Sequence, residues 1–286
     1  LARVRALTDS CGGRFSVAEV GGDHAEREMQ TFTAGEHHLN SAYGFLYLYA
    51  PALAPSLVRD GAEAWHGRDG QGWPSWTFSN HDAPRAISRW AEGRDLKAVA
   101  EMAMLLLMTL RGNVFIYQGE ELALPQAAVP FDRLVDPEAI ANWPETLGRD
   151  GARTPLPWNA DQPQAGFSTV EPWLPVDPRH LALSVDRQER DPGSMLQTTR
   201  RLVAFRKAHP CLLLGDMNLV EVDADLLCFE RLYREERLLC VFNLGHAPAR
   251  WTMPQGLRVI EAVNLIETYQ GVLPPMAGLV LTSTRG

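Results

Sequence analysis

Disulfide and zinc chemistry have little to work with in this chain. Among 286 residues there are four cysteines, Cys11, Cys211, Cys228 and Cys240. No C-x-x-C pair occurs and no histidine stands at zinc-ligand spacing, so the cysteines read as reduced thiols, mostly buried. No Asn-x-Ser/Thr acceptor is present. The longest apolar stretch, in AVAEMAMLLLMTL, is too short and too interrupted to cross a bilayer, so no membrane partner is expected. Positive charge is also scarce: 27 Lys and Arg stand against 35 Asp and Glu, a net charge of −8. Without a basic stripe or an RNA-binding aromatic motif, nucleic acid is not an expected partner either. The first residue is Leu, not Met. LARVRALTDSCGG reads as the end of a helix stopped at Gly12-Gly13, so the chain is expected to begin inside a fold.

What is present is an ordinary globular composition, 45% hydrophobic and 22% charged. Four β-rich runs, RFSVAEV, SAYGFLYLYA, WPSWTFSN and NVFIYQ, begin near Arg14, Ser41, Trp73 and Asn113. That interval, roughly 30 residues or a little more, is the length of a βα unit. The runs are apolar on both faces, as a buried parallel sheet requires. Between the last two lies the strongest helix signal, DLKAVAEMAMLLLMTLRGN, with Leu96, Val99, Met102, Ala103, Leu106 and Leu110 as its apolar face and Gly112 as its stop. Regularity then fails from Leu122 to about Arg190, and so long an irregular stretch in a compact protein is usually functional. A helix over about Ser194–Ala208 follows, capped by Ser194 and ended by His209-Pro210. From about Leu212 short alternating strands take over. The expected domains are therefore residues 1–210, carrying βα units and an irregular region at about 122–190, and residues 211–286, all-β.

Active sites of β/α barrels gather at the C-terminal ends of the strands. Here the first run ends at Glu19, the third at His81-Asp82, and the fourth at Gln118-Gly119-Glu120-Glu121. Glu19 sits among small and apolar residues. Desolvation there would favour the neutral acid, as a general acid needs. His81-Asp82 offers a donor and an acceptor to adjacent hydroxyls. Carboxylates from two strands with tryptophans nearby suit glycosidic-bond chemistry. Glu36-His37-His38 is no metal site, because neighbouring histidines point apart on a strand and lack ligand spacing.

VAEVGGD, TFSNHDAPR, GNVFIYQGEELALP and GRDGARTPLPW, in that order, resemble the α-amylase superfamily, glycoside hydrolase family 13, of the bacterial α-glucosidase and oligo-1,6-glucosidase type. The resemblance implies the C-terminal half of a (β/α)8 barrel, about strands five to eight, followed by a small antiparallel β-sandwich domain. It implies that Glu19 is the general acid/base, that Asp82 stabilises the transition state, and that His81, Arg85 and Arg149 bind substrate. Arg153, Pro155 and Trp158 would fix their loop, and Glu120 and Glu121 the loop after the eighth strand.

The family's nucleophile, an Asp in a GFRxD-like segment, has no counterpart in this sequence. The resemblance places it upstream of Leu1, together with any divalent-cation site; no cofactor is implied within these residues. The implied activity is a retaining α-glucosidase releasing terminal α-linked glucose from maltose-, isomaltose- or sucrose-like oligosaccharides, with transglucosylation if a sugar replaces water. The alternatives are a sucrose-active or glucosyl-isomerising enzyme of the same family, and a non-catalytic barrel homologue acting as a binding or scaffold subunit. The partner implied is the N-terminal half of the barrel, and the expected compartment is the bacterial cytoplasm. Half a barrel leaves sheet edges open, so alone it is expected to be inactive and insoluble.

Overall fold

The computed structural model describes residues 1–65, 72–91, 93–146, 148–223, 225–265 and 268–284. The chain forms two compact units. The first comprises Leu1–Thr77, Met102–Phe115 and Ala204–Gly286; the second comprises Phe78–Glu101 and Ile116–Val203. Among the described residues no helix is long and apolar enough to cross a membrane. The expected all-β domain was drawn to residue 286, and its last two residues lie outside those described.

The first unit opens with α1 (Ala2–Ser10), β1 (Val17–Val20), α2 (Ala25–Thr33), β2 (Ser41–Gly44), α3 (Pro55–Ala64) and β3 (Pro74–Thr77). In the second unit the chain forms α4 (Ala86–Trp90) and enters α5 (Leu96–Thr109), whose C-terminal part and β4 (Asn113–Phe115) belong to the first. The four strands pair in parallel in the order β1-β2-β3-β4. A polar cluster ties three of them: Asn113 Nδ2 donates to Ser41 Oγ at 3.0 Å and to Ser75 Oγ at 3.1 Å, and the two serine hydroxyls bond each other. These hydrogen bonds satisfy the buried hydroxyls only in one register, so the cluster pins β2, β3 and β4 side by side.

The run Ser41–Ala50 is strand only to Gly44. Beyond it the chain turns, with Leu48 N–H donating to Phe45 O at 3.1 Å and Phe45 meeting Tyr49 edge-on at 5.7 Å. The helix α5 also departs from its expected one-sided pattern. Met104, Leu105, Leu107 and Met108 are as buried as Val99, Met102 and Leu106, while Leu96 is 38% exposed. From Met102 to Leu110 every residue is buried, as in a core helix, while the first turn is open to solvent.

The second unit continues with α6 (Pro137–Ala141) and α7 (Val185–Arg190), and α8 (Met195–Ala208) begins there. The irregular stretch after Leu122 is neither helix nor sheet, yet it is held closely by side chains. Asp177 accepts from Ala128 N–H and Arg179 N–H, and Gln188 Nε2 donates to Leu122 O and Leu183 O at 2.9 Å each. Ser194 caps α8 by accepting from Gln197 N–H at 3.4 Å.

After α9 (Pro210–Leu214) come β5 (Asp216–Val220), β6 (Leu226–Tyr233), β7 (Glu236–Asn243), β8 (Ala249–Arg250), β9 (Leu257–Val263), β10 (Val272–Leu273) and β11 (Gly278–Ser283). They form a five-stranded antiparallel sheet, β5-β6-β7-β11-β9, and a two-stranded ribbon, β10-β8. Leu226, Leu239, Val241 and Leu279 of the sheet pack with Leu273 and Ala249 of the ribbon. The central strands β6 and β7 are buried on both faces rather than alternating. Gly278 explains how their second face is covered: a Cβ there would meet Phe242 at 2.8 Å and Leu105 of α5 at 3.0 Å.

Two buried arginines close the end of α5, whose last carbonyls have no helical partner. Arg206 Nη1 donates to Met108 O at 2.5 Å and Leu110 O at 3.1 Å, and its Nη2 to Gly112 O at 2.6 Å. Arg231, on β6, donates to Thr109 O at 2.5 Å and to Gly215 O at 2.9 Å. A cation at a helix C-terminus also opposes the helix dipole. Replacing Arg231 with Leu would strand these carbonyls in an apolar setting. In the intact enzyme it is expected to lower unfolding free energy by about 3 kcal/mol or more, read by denaturant titration. A loss within error would show that the caps are dispensable.

Candidate active site

The chain leaves β3 at Thr77 into Phe78-Ser79-Asn80-His81-Asp82, and this loop is folded by its own side chains. Asn80 Oδ1 accepts from Asp82 N–H at 2.9 Å and Ala83 N–H at 2.8 Å, a local turn of the kind asparagine makes readily. Ser79 Oγ accepts from Ala86 N–H at 2.9 Å, starting α4. Phe78 and Trp90 meet edge-on at 5.1 Å, so α4 folds back on the loop. His81 and Asp82 are left on the surface, with side chains 57% and 31% exposed.

Asp82 is held by cations. Arg153 Nη2 donates to its Oδ1 at 2.7 Å, and Arg149 Nη1 stands 3.6 Å from the same oxygen. His81 Nε2 lies 3.2 Å from Oδ2. Arg153 Nε also donates to His81 O at 2.8 Å, so one guanidinium fixes both members of the pair. Two guanidinium groups offset the carboxylate's charge while part of it stays open to solvent. Such a group can accept hydrogen bonds from neighbouring hydroxyls.

Arg149 is positioned by Asp136. Its Nε and Nη2 reach Asp136 Oδ2 and Oδ1 at 3.1 and 2.8 Å, and its backbone N–H donates to Oδ2 at 2.7 Å. These hydrogen bonds hold the Asp136 carboxyl well below the usual carboxylate range and push the Arg149 guanidinium upward. Asp136 also caps α6, accepting from Glu138 N–H at 3.3 Å, and is itself placed by Asp150, which accepts from Val135 and Asp136 N–H. Gly148, at φ +59°, allows the approach: a Cβ there would lie 2.6 Å from Asp136 Oδ2.

Arg85 takes a different place from the one expected of a substrate-binding residue. It is only 2% exposed. Its Nη1 donates to Gln118 O at 2.8 Å and its Nη2 to Ala152 O at 3.2 Å, and it lies over the Tyr117 ring at 5.3 Å. Its backbone N–H donates to Gln126 Oε1. A guanidinium enclosed in this way braces three loops, and the expectation of a sugar contact gives way to that role. Gly119, at φ +94°, is required beside it, since a Cβ would come within 2.6 Å of Nη1.

Glu19 belongs to the first unit, whereas His81, Asp82, Arg85 and Arg149 belong to the second. Glu19 is the third residue of β1, opposite Tyr43 of β2. It is exposed, and the expected desolvation is not present: β1 is the sheet's edge, with β2 on one side only. Arg153 and Asp136 are the residues that reading the sequence missed as members of the site. Asp136-Pro137-Glu138 is a helix-start signature, Asp as cap and Pro at the first position, and would have located α6. Arg153 was expected only to fix its loop, and nothing local marks its contact to Asp82, 71 positions away in the chain.

Among the described residues no group of three or more His, Cys, Asp or Glu could hold a metal ion. A cavity of about 780 Å³ in the first unit, lined by Trp65, Trp73, Trp76 and Arg111, lies at the opposite end of the sheet from Glu19. It is bounded by Pro74 and Asn40, where β3 and β2 begin, the end that serves stability in barrels.

The sequence matches the model of the alpha-amylase catalytic domain over residues 24–215. It is similar to a probable α-glucosidase of Rhizobium meliloti (strain 1021), 41% identical over 256 residues, covering 89% of this chain and 46% of the relative. It is 28% identical over 303 residues to a probable oligo-1,6-glucosidase 2 of Bacillus subtilis (strain 168), covering 93% and 54%. The crystal structure of an α-glucosyl transfer enzyme matches with TM-score 0.91 at 35% identity, over 99% of this chain and 53% of the other. The chain spans about half the length of these relatives.

Glu120 lies against the Arg85 brace. Desolvation raises its carboxyl to about 7, against the opposing hydrogen bonds from Ser79 and the Tyr117 N–H. The folded protein therefore holds this proton where the unfolded chain releases it near 4.5, so stability falls as pH rises from about 4.5 to 7. Glu120→Gln keeps an acceptor for Tyr117 and removes the titration. The drop in Tm between pH 5 and pH 8 is expected to shrink in the variant, by an amount worth at most about 3 kcal/mol. An equal drop in both proteins would show that this carboxyl does not titrate in that window.

Proposed function

The chain belongs to the α-amylase family, glycoside hydrolase family 13, and on that premise we propose that it carries the acid/base and sugar-binding part of a retaining α-glucosidase. Glu19 protonates the glycosidic oxygen while an aspartate outside these 286 residues attacks the anomeric carbon, giving a glucosyl-enzyme ester and a released aglycone. Glu19, now a carboxylate, takes a proton from water as its oxygen attacks the same carbon and expels the aspartate. Two inversions return glucose with retained configuration. Asp82 and His81 grip neighbouring hydroxyls of the cleaved sugar, and Arg149 binds the terminal glucose.

The observation that carries this reading is the Asp82 carboxylate, set after β3 and clamped by Arg149 and Arg153 with His81 beside it. A scaffold subunit has no use for a half-exposed acid so closely oriented. The family names of the relatives support α-glucosidase activity on short oligosaccharides. Transfer of glucose to a sugar hydroxyl in place of water is the second reading, supported by the α-glucosyl transfer enzyme at 35% identity. The partner we propose is the part of the barrel that bears the nucleophile. The free thiols of Cys211, Cys228 and Cys240 suit a reducing compartment, and we assign the protein to the cytoplasm.

In the intact enzyme, Glu19→Gln is expected to cut turnover of maltose or isomaltose by about 10²–10⁴-fold while sparing the first step with an activated aryl glucoside, whose leaving group needs little protonation. Burst kinetics separate the two steps. Equal losses on both substrates would remove Glu19 from the acid role.

A further inference from the structure

The two guanidinium groups beside Asp82 are not equivalent. Arg149 is committed to Asp136 through Nε and Nη2 at 3.1 and 2.8 Å, and its Nη1 stays 3.6 Å from Asp82, beyond hydrogen-bond length. Arg149 therefore adds charge near the carboxylate but no direction. Arg153 makes the short contact. Its Nη2 donates to Asp82 Oδ1 at 2.7 Å while its Nε donates to the His81 carbonyl at 2.8 Å. One planar group thus ties the backbone just before Asp82 to the Asp82 side chain, and the carboxylate cannot swing away without losing its bond.

Arg153 itself is placed from the loop after β4. Residues Asp150–Ala152 form one tight turn, closed by Ala152 N–H to Arg149 O at 3.0 Å and by Arg153 N–H to Asp150 O at 2.9 Å. The carbonyl of Ala152, a fully buried residue, accepts from the Tyr117 hydroxyl at 2.9 Å and from Arg85 Nη2 at 3.2 Å. Burial pushes the Tyr117 hydroxyl up, so it keeps its proton and stays a donor. The same ring lies against the Arg85 guanidinium at 5.3 Å.

We propose that Tyr117 and Arg153 are positioning residues for Asp82: the Tyr117 hydroxyl fixes the Ala152 carbonyl, and Arg153, next in the chain, aims the carboxylate. This rests on the α-glucosidase reading above and adds to it the groups that orient Asp82 before the sugar arrives. Their effect on turnover passes through Asp82 and vanishes when Asp82 can no longer act.

The test uses the intact enzyme with maltose and an activated aryl glucoside. Tyr117→Phe keeps the ring on Arg85 and removes the donor. Its kcat and kcat/KM are expected to fall together by about 2–10-fold, the scale of one hydrogen bond, with KM changed less than about twofold. Arg153→Lys keeps the charge and loses the fork, and a loss of about 10–100-fold in kcat is expected from the misplaced carboxylate. In an Asp82→Asn background, whose residual turnover the aryl glucoside reports, each substitution is expected to add less than about twofold. Full additive losses in that background, or a rise in KM without a fall in kcat, would overturn the relay and leave both residues as loop anchors. Unchanged kinetics in both single variants would do the same. If Asp82→Asn alone turns over both substrates like the wild type, the α-glucosidase reading of Asp82 fails first, and the relay falls with it.

Discussion

One buried guanidinium sets the geometry of the second unit. Arg85 leaves the turn that carries His81-Asp82, reaches the carbonyl of Gln118 in the loop after β4, and reaches the carbonyl of Ala152 in the loop that carries Arg149 and Arg153. No secondary structure joins these segments. A planar group with several donors in fixed directions can hold three loops at once, where a lysine would hold one. Burial of the charge is costly, and the Tyr117 ring and the carboxylates of Glu120 and Glu121 offset part of that cost. The left-handed Gly119 is a consequence of this arrangement, because only a residue without a Cβ fits against the guanidinium.

On that frame the electrostatics of the site become a relay of pairs. Asp150 places the backbone of Asp136, Asp136 holds Arg149, and Arg149 and Arg153 share Asp82. Buried Asp136 is paired with the Arg149 guanidinium, while buried Asp150 is held through one oxygen by two backbone N–H groups. The series ends at the surface, where the side chains of Asp82 and Arg149 are 31% and 38% exposed. A carboxylate fixed in advance by two guanidinium groups loses little freedom when it accepts further hydrogen bonds.

The first unit follows a different logic, that of closing helix and strand ends. The Ser41-Ser75-Asn113 cluster decides the register of the parallel strands, and Arg206 and Arg231 finish α5. The antiparallel sheet does more than append to this core: Arg231 comes from β6 and Gly278 from β11, so its strands supply the cap and the close packing that α5 requires.

Much of this was legible in the letters, because the signals are local. Period, turn residues and strand-end acids show a parallel βα region, an apolar helix and a β module, and the ordered motifs are what raise the expectation of a site at Glu19, His81, Asp82 and Arg149. Residues whose role depends on partners far along the chain were not legible. Arg85 looks the same in sequence whether it faces sugar or three carbonyls, and only its burial separates the two. Arg153 joins the site through a contact to Asp82 across the fold, and Glu19 is exposed because β1 is an edge strand, a fact of pairing and not of its neighbours in sequence. Local pattern determines which elements form, since periodicity and capping act within a few residues. Burial, charge pairing and hydrogen-bond geometry are properties of the assembled chain, and they alone decided which polar side chains stand ready for a ligand and which hold the fold in place.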